Sequence, residues 1–161
     1  FFKKMKNVIL FAFSTSSSAA TIPITLKTVT DELGVKKDVS SFVIPVGATI
    51  NMDGTAIMQG LATMFVASVA FYDLSLVDYM QIVLLAIVAS IGTAAVPSAG
   101  IITLTLILGS LGLGLGAIGL ILAVDRILDM LRTSINVCGD AAVACVVANS
   151  EDLLDKNLFN K

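Results

Sequence analysis

The chain has 161 residues, of which 57% are hydrophobic and 14% charged, with a formal net charge of −2, no His and no Trp. A soluble domain carries about 25% charged and about 45–50% apolar residues, so this is the composition of a membrane chain. The absence of His excludes Ser-His-Asp hydrolysis, His metal sites and His proton relays, and no basic run points to nucleic acid.

In chain order, Phe1-Phe-Lys-Lys-Met-Lys-Asn7 lacks a small-residue cleavage site and does not read as a signal peptide. Val8 to Phe13 is too short to cross about 30 Å of hydrocarbon, and it runs through Ser14-Thr-Ser-Ser-Ser18 into a second short apolar half ending at Leu26. Residues 7–26 are therefore expected to form a re-entrant hairpin with a serine-rich tip. Irregular backbone at that depth is tolerated only where it is buried in protein or lines a watery cavity. A flexible serine linker is the alternative, but linkers are not flanked by apolar half-spans. Lys27 to Ser41 is polar and reads as a solvent loop.

Residues 42–71 form an apolar run interrupted by Pro45, Gly47 and Asn51-Met-Asp-Gly-Thr55. Asn-Met-Asp-Gly is poor helix material, so this transmembrane helix is expected to break over Asn51 to Gly54 and to free backbone carbonyls. Together with the Asn51 amide and the Asp53 carboxylate, those carbonyls make an oxygen-only cage of the kind that suits an alkali cation. A plain kink with a solvated Asp is the competing reading.

Tyr72 to Tyr79 reads as a short acidic loop. Residues 79–108 then repeat the hairpin pattern around Gly92-Thr-Ala-Ala-Val-Pro-Ser-Ala-Gly100, a small-residue tip that permits close backbone approach. Gly109 to Gly119 turns the chain into a last transmembrane helix, 118–149, and Asn149 to Lys161 is a polar tail. Cys138 and Cys145 lie in that helix without a CxxC or His partner and read as packing residues.

The last helix carries the charge. At about 100° per residue, Asp125, Asp129, Arg132, Thr133, Asn136 and Asp140 fall within an arc of roughly 100°, surrounded by apolar sequence. Ionisable groups at that depth are costly unless paired or engaged with a ligand, so this face is the candidate functional site; a structural Asp129–Arg132 pair one turn apart is the plainer reading. Lysines flank the first hairpin on both sides, whereas no Lys or Arg occurs between Lys37 and Arg126. By the positive-inside rule the first hairpin opens to the cytoplasm and the second to the outside, which makes the two halves an inverted repeat. The expected fold is an all-α membrane protein with two oppositely oriented re-entrant hairpins, each followed by a transmembrane helix.

Ser16-Ser-Ser-Ala-Ala-Thr-Ile-Pro23, Asn51-Met-Asp-Gly-Thr55, Gly92-Thr-Ala-Ala-Val-Pro97 and Asp125 to Asp140 resemble, in order and spacing, four signature stretches of the glutamate transporter family, the dicarboxylate/amino acid:cation symporters. The resemblance implies that Arg132 holds a substrate side-chain carboxylate, that Asp129 accepts from its α-ammonium and that Asn136 donates to its α-carboxylate. Thr133 and Thr55 would add hydroxyl contacts, and the backbones of Ser17, Ser18, Val96 and Gly100 would close the site. It further implies one sodium site at Gly47, Asn51, Asn136 and Asp140, and a second at Thr49, Met52, Ser90, Ile91 and Thr93. A third, at Asn51 and Asp53, would need residues of an earlier helix. Protons are a second candidate coupling ion.

Such a chain would be a transport core, residues 1–161, in a multi-pass plasma-membrane protein. It would serve sodium-coupled uptake of glutamate or aspartate by an elevator motion, with no enzymatic activity. The family pattern also implies N-terminal scaffold helices, absent here, and a homotrimer in the complete protein; the core by itself is not expected to sustain sodium-driven uptake. C4-dicarboxylate or cystine carriage within the same family, and a non-transporting membrane remnant, are the competing functions.

Overall fold

The computed structural model describes residues 1–114, 116 and 118–161, and among them the chain is helical: α1 (Phe2–Thr15), α2 (Ser18–Asp31), α3 (Lys37–Ile50), α4 (Asp53–Val69), α5 (Leu76–Gly92), α6 (Ala99–Ser110), α7 (Ile118–Ser150) and α8 (Lys156–Phe159). Positions 115 and 117 of the Gly109 to Gly119 connection lie outside the described residues.

Helix α7 is the axis of the molecule and touches α1, α2, α3 and α4. With 33 residues it is about 50 Å long at 1.5 Å per residue, and among the described residues it alone is long and apolar enough to cross a membrane. Its C-terminal half packs Val137, Ala141, Ala144, Cys145 and Ala148 against Met5, Val8 and Ala12 of α1, Val29 of α2 and Ile44 of α3. Its N-terminal half contributes Ile121 to a second cluster with Met58, Ala62 and Val66 of α4 and Leu104 and Leu108 of α6. The alanines let neighbouring backbones approach closely, which is how helices gain packing energy where lipid removes the hydrophobic drive. The polar stretch Asp125 to Asp140 lies where these two cores meet. Large apolar side chains such as Phe42, Leu61, Leu76, Ile102, Leu106 and Val146 face outward, a surface suited to lipid and too apolar for water.

The two sequence halves expected to hairpin each form two helices joined by a short tip. At the first tip, Ser16 closes α1 in the left-handed conformation (φ 50°), and Ser17 caps α2, its Oγ accepting from Ala20 N at 3.2 Å. At the second, Ser98 precedes α6 in the same left-handed conformation (φ 61°). A non-glycine residue in that region costs about 1–2 kcal/mol, so both tips hold stored strain. The long apolar run breaks as expected, but more narrowly. Only Asn51 and Met52 leave the helix, and Asp53 and Gly54 already open α4.

Several boundaries differ from the sequence reading, beginning with the first helix pair, which runs from Phe2 to Asp31 rather than over 7–26. The polar segment Lys27 to Ser41 is mostly helix, because α2 continues to Asp31 and α3 begins at Lys37, leaving five connecting residues. Helix α5 starts at Leu76, inside the supposed Tyr72 to Tyr79 loop, because Ser75 and Asp78 form a reciprocal capping box. The C-terminal tail is not free. Lys4 Nζ donates to Glu32 O at 3.0 Å, Leu158 O at 2.6 Å and Phe159 O at 3.0 Å, and Asp155 N donates to Gly34 O at 2.8 Å, so α8 is strapped beneath the α2–α3 turn.

Candidate functional site: a buried ion-paired helix face between two tips

All six polar residues of the α7 face are buried, none more than 5% exposed. Arg132 is the centre. Its Nε donates to Asp129 Oδ1 at 2.8 Å and its Nη2 lies 2.8 Å from the same oxygen. Its Nη1 lies 3.4 Å from Asp125 Oδ1 and 3.5 Å from Met58 Sδ. The Asp129–Arg132 pair is therefore made, yet incompletely satisfied: Nη2 and Asp125 Oδ1 have no hydrogen bond of acceptable angle.

The second tip sits directly on this pair. Ser98 N donates to Asp129 Oδ2 at 2.9 Å, and a methyl placed on Gly100 would be 2.6 Å from Arg132 Nη1, so a side chain there would displace the guanidinium from its present position. The first tip meets the second, with Ser17 Oγ donating to Ala95 O at 2.9 Å. Between them Ser16, Ser18, Met52, Thr55, Thr93, Val96, Gly100, Asp129, Arg132, Thr133 and Asn136 line one cavity of about 10 Å³. That is room for about one water, where drug-sized ligands occupy pockets of about 300–1,000 Å³. The arrangement is closed, and the second tip fills the volume that a ligand on Arg132 would need.

Opposite the tips, the broken α3–α4 segment meets α7. Asn136 Oδ1 accepts from Gly54 N at 2.8 Å and its Nδ2 donates to Thr55 Oγ1 at 3.3 Å, which satisfies an orphan amide at the start of α4. Thr133 Oγ1 donates to Asp129 O at 2.8 Å. Asn51 Nδ2 donates to Asp140 Oδ1 at 2.9 Å, and a methyl on Gly47 would lie 2.5 Å from that same oxygen. Gly47, Asn51 and Asp140 are thus gathered, with Asn136 one turn along α7. Asp53 is exposed, its Oδ2 beside Gly139 together with the Asn51 amide. Among the described residues no three Asp, Glu, Cys or His side chains converge. A cation here would rest on the Asp140 carboxylate, amide oxygens and carbonyls, the hard set expected for an alkali ion.

The second expected cation set is more dispersed. Met52 and Thr93 share the cavity, whereas Thr49 is exposed with its hydroxyl on Val46 O at 2.7 Å. Ser90 bonds Ile87 O at 2.8 Å, and Ile91 is exposed. Val96 lines the cavity from the exposed side of the tip, and Ser17 acts through its bond to Ala95 rather than by lining the cavity. Sequence reasoning assigned no role to Asp125, which its place on the polar face signals. It also missed Ser98, whose contribution is a backbone N–H with no side-chain signature.

The family described as the sodium:dicarboxylate symporter family matches residues 1–150. An excitatory amino acid transporter of Caenorhabditis elegans is 49% identical over 136 residues, 84% of this chain and 27% of the relative. Excitatory amino acid transporter 4 of Mus musculus is 46% identical over 143 residues, 89% and 26% of the two chains. Excitatory amino acid transporter 5 of Homo sapiens is 44% identical over 149 residues, 92% and 27%. The chain spans about a quarter of the length of these curated relatives.

Proposed function

Because the chain belongs to the sodium:dicarboxylate symporter family, we propose that it is the substrate-binding core of a plasma-membrane carrier that takes up glutamate or aspartate together with sodium. One observation carries this reading: a buried guanidinium and a buried carboxylate on α7, paired at 2.8 Å and covered by the tips of two helix pairs. In the closed arrangement the protein supplies its own stand-ins for a ligand. Asp129 takes the Ser98 N–H where an α-ammonium would donate, and Arg132 takes Asp129 where a side-chain carboxylate would bind.

A ligand bearing both groups satisfies both residues at once. When the second tip lifts, Arg132 can turn its planar two-donor fork to the incoming carboxylate, and the released Asp129 can accept from the ammonium. Thr55, Thr133 and Asn136 add hydroxyl and amide groups around the same volume. Asp129 disfavours a dicarboxylate without an amine, and Arg132 disfavours a neutral amino acid. The relatives, named as amino acid transporters, favour the same choice.

Sodium at Asp140 and Asn51 would lower the cost of a buried carboxylate and favour closing of the tips over a bound ligand, which couples the two fluxes. In this reading the tip-bearing helix pairs are re-entrant hairpins of an inverted repeat. The core moves as an elevator against scaffold helices of the complete, trimeric protein.

The test is calorimetric titration of the full chain with aspartate in sodium, wild type against Arg132→Ala. Losing a buried, hydrogen-bonded charge partner costs about 2–5 kcal/mol, so aspartate affinity falls by at least about 30-fold while a neutral analogue is spared. Unchanged aspartate affinity would overturn the assignment.

A further inference from the structure

Gln59 stands in the middle of α4, fully buried, with an amide that substrate and ion binding leave without a task. Its Nε2 donates to Thr103 Oγ1 on α6, while its Oε1 has no hydrogen-bond partner. Thr103 Oγ1 donates onward to Gly100 O at 3.0 Å and lies 3.3 Å from the hydroxyl of Thr93, which closes α5. One side chain from α4 therefore reaches α6 directly and the end of α5 through Thr103, a single turn behind the glycine that presses on Arg132.

We propose that Gln59 and Thr103 form a latch that holds the second tip closed over Arg132, making Gln59 a positioning residue for the binding site. The identity of the ligand rests on the transport reading above; the closing of the tip does not. The chemistry suits a release device. A buried hydrogen bond contributes modestly when made, but stripping one partner leaves the other bare at a larger cost. An amide with its donor end engaged and its acceptor end bare therefore stabilises the closed tip less than a fully paired one. The balance leaves the tip held but able to open.

The experiment uses the full chain in lipid nanodiscs and two readouts: hydrogen exchange over residues 93–103 without ligand, and aspartate titration in sodium. Thr103→Val should speed exchange at the tip about tenfold and tighten aspartate binding by up to about tenfold, because it leaves both ends of the Gln59 amide bare and so destabilises the closed tip that must lift before a ligand reaches Arg132. Thr103→Ser, which keeps the hydroxyl, should stay within about twofold of wild type on both. The double variant Gln59→Met with Thr103→Val should recover in part relative to that single, since removing both partners leaves no bare amide but also no tie to α6. Wild-type exchange in Thr103→Val, or a double variant worse than that single, would overturn the latch. A wild-type chain that binds no acidic amino acid, with exchange still responding to Thr103→Val and recovering in the double variant, would refute the transport reading and support the latch.

Discussion

Replacing Asp129 by Asn separates the two carboxylates that flank Arg132. Asp129 Oδ1 receives Nε and lies 2.8 Å from Nη2, while Oδ2 receives Ser98 N. Asp125 stands 3.4 Å from Nη1 with no hydrogen bond to it. An Asn side chain has a single acceptor oxygen. If that oxygen faces Arg132, its NH2 opposes the Ser98 N–H, donor against donor; if it faces Ser98, its NH2 opposes the guanidinium. The contacts that survive drop from charge-assisted to neutral strength, roughly half. Halving one of the two hydrogen bonds, each worth about 1.5–3 kcal/mol, and losing the other gives a destabilisation of about 2–4.5 kcal/mol.

For a chain of this size each kcal/mol moves the midpoint by about 2–4 °C, so Asp129→Asn should melt about 4–18 °C below wild type. Asp125→Asn, which loses only a long contact, should fall by about 1 kcal/mol or less, a few degrees. Thermal unfolding of the purified full chain in detergent, both variants side by side, reads the difference. If Asp125→Asn proved as damaging as Asp129→Asn, the assignment of Asp129 as the principal partner of Arg132 would be wrong.

Two further outcomes follow from local geometry. A methyl on Gly54 would sit 2.5 Å from Arg132 O and 2.9 Å from its Cα. That is backbone meeting backbone, so Gly54→Ala should cost about 1–3 kcal/mol. Gly60→Ala on the same helix, where nothing lies within 4 Å, should instead gain about 0.5–1 kcal/mol of helix propensity; equal effects in a thermal melt would contradict this packing. At the exposed start of α5, the Ser75 hydroxyl and backbone N–H hold the Asp78 carboxyl below its ordinary value. Because its folded pKa is depressed, the stabilisation is present above the unfolded carboxylate pKa and is lost as pH falls through the folded one. Amide exchange at Leu76 to Tyr79 should therefore quicken on acidification, and Ser75→Ala, which removes the hydroxyl but keeps the backbone N–H, should weaken that pH dependence without abolishing it. A Ser75→Ala chain that frays with acid as steeply as wild type would assign the effect elsewhere.

The helix breaks were legible because they depend on local chemistry. Asn51-Met52 cannot easily continue a helix, and the serine and glycine-rich tips interrupt apolar halves too short to span. The burial of Asp125, Asp129, Arg132, Asn136 and Asp140 followed from periodicity alone, since residues three and four apart share a face. The boundaries that moved, at Asp31, Lys37 and Leu76, are places where polar residues sit in helices that leave the apolar layer. There composition suggests a loop and capping decides otherwise. The docking of the tail through Lys4 was not legible, because an ammonium gathering three carbonyls from distant segments leaves no pattern in the order of residues.

By itself, then, the order of residues determined a membrane chain, its alternation of half-helices and one charged helical face, because each of these is set by neighbours within a few turns. Only the tertiary structure decided that Ser98 and Gly100 come down on Asp129 and Arg132, that Asn51 reaches Asp140, and that Gln59 ties α4 to the second tip. Those contacts join residues 31 to 89 positions apart through a backbone amide, a glycine clearance and side-chain hydrogen bonds, and close approach of that kind exists only once the helices have packed.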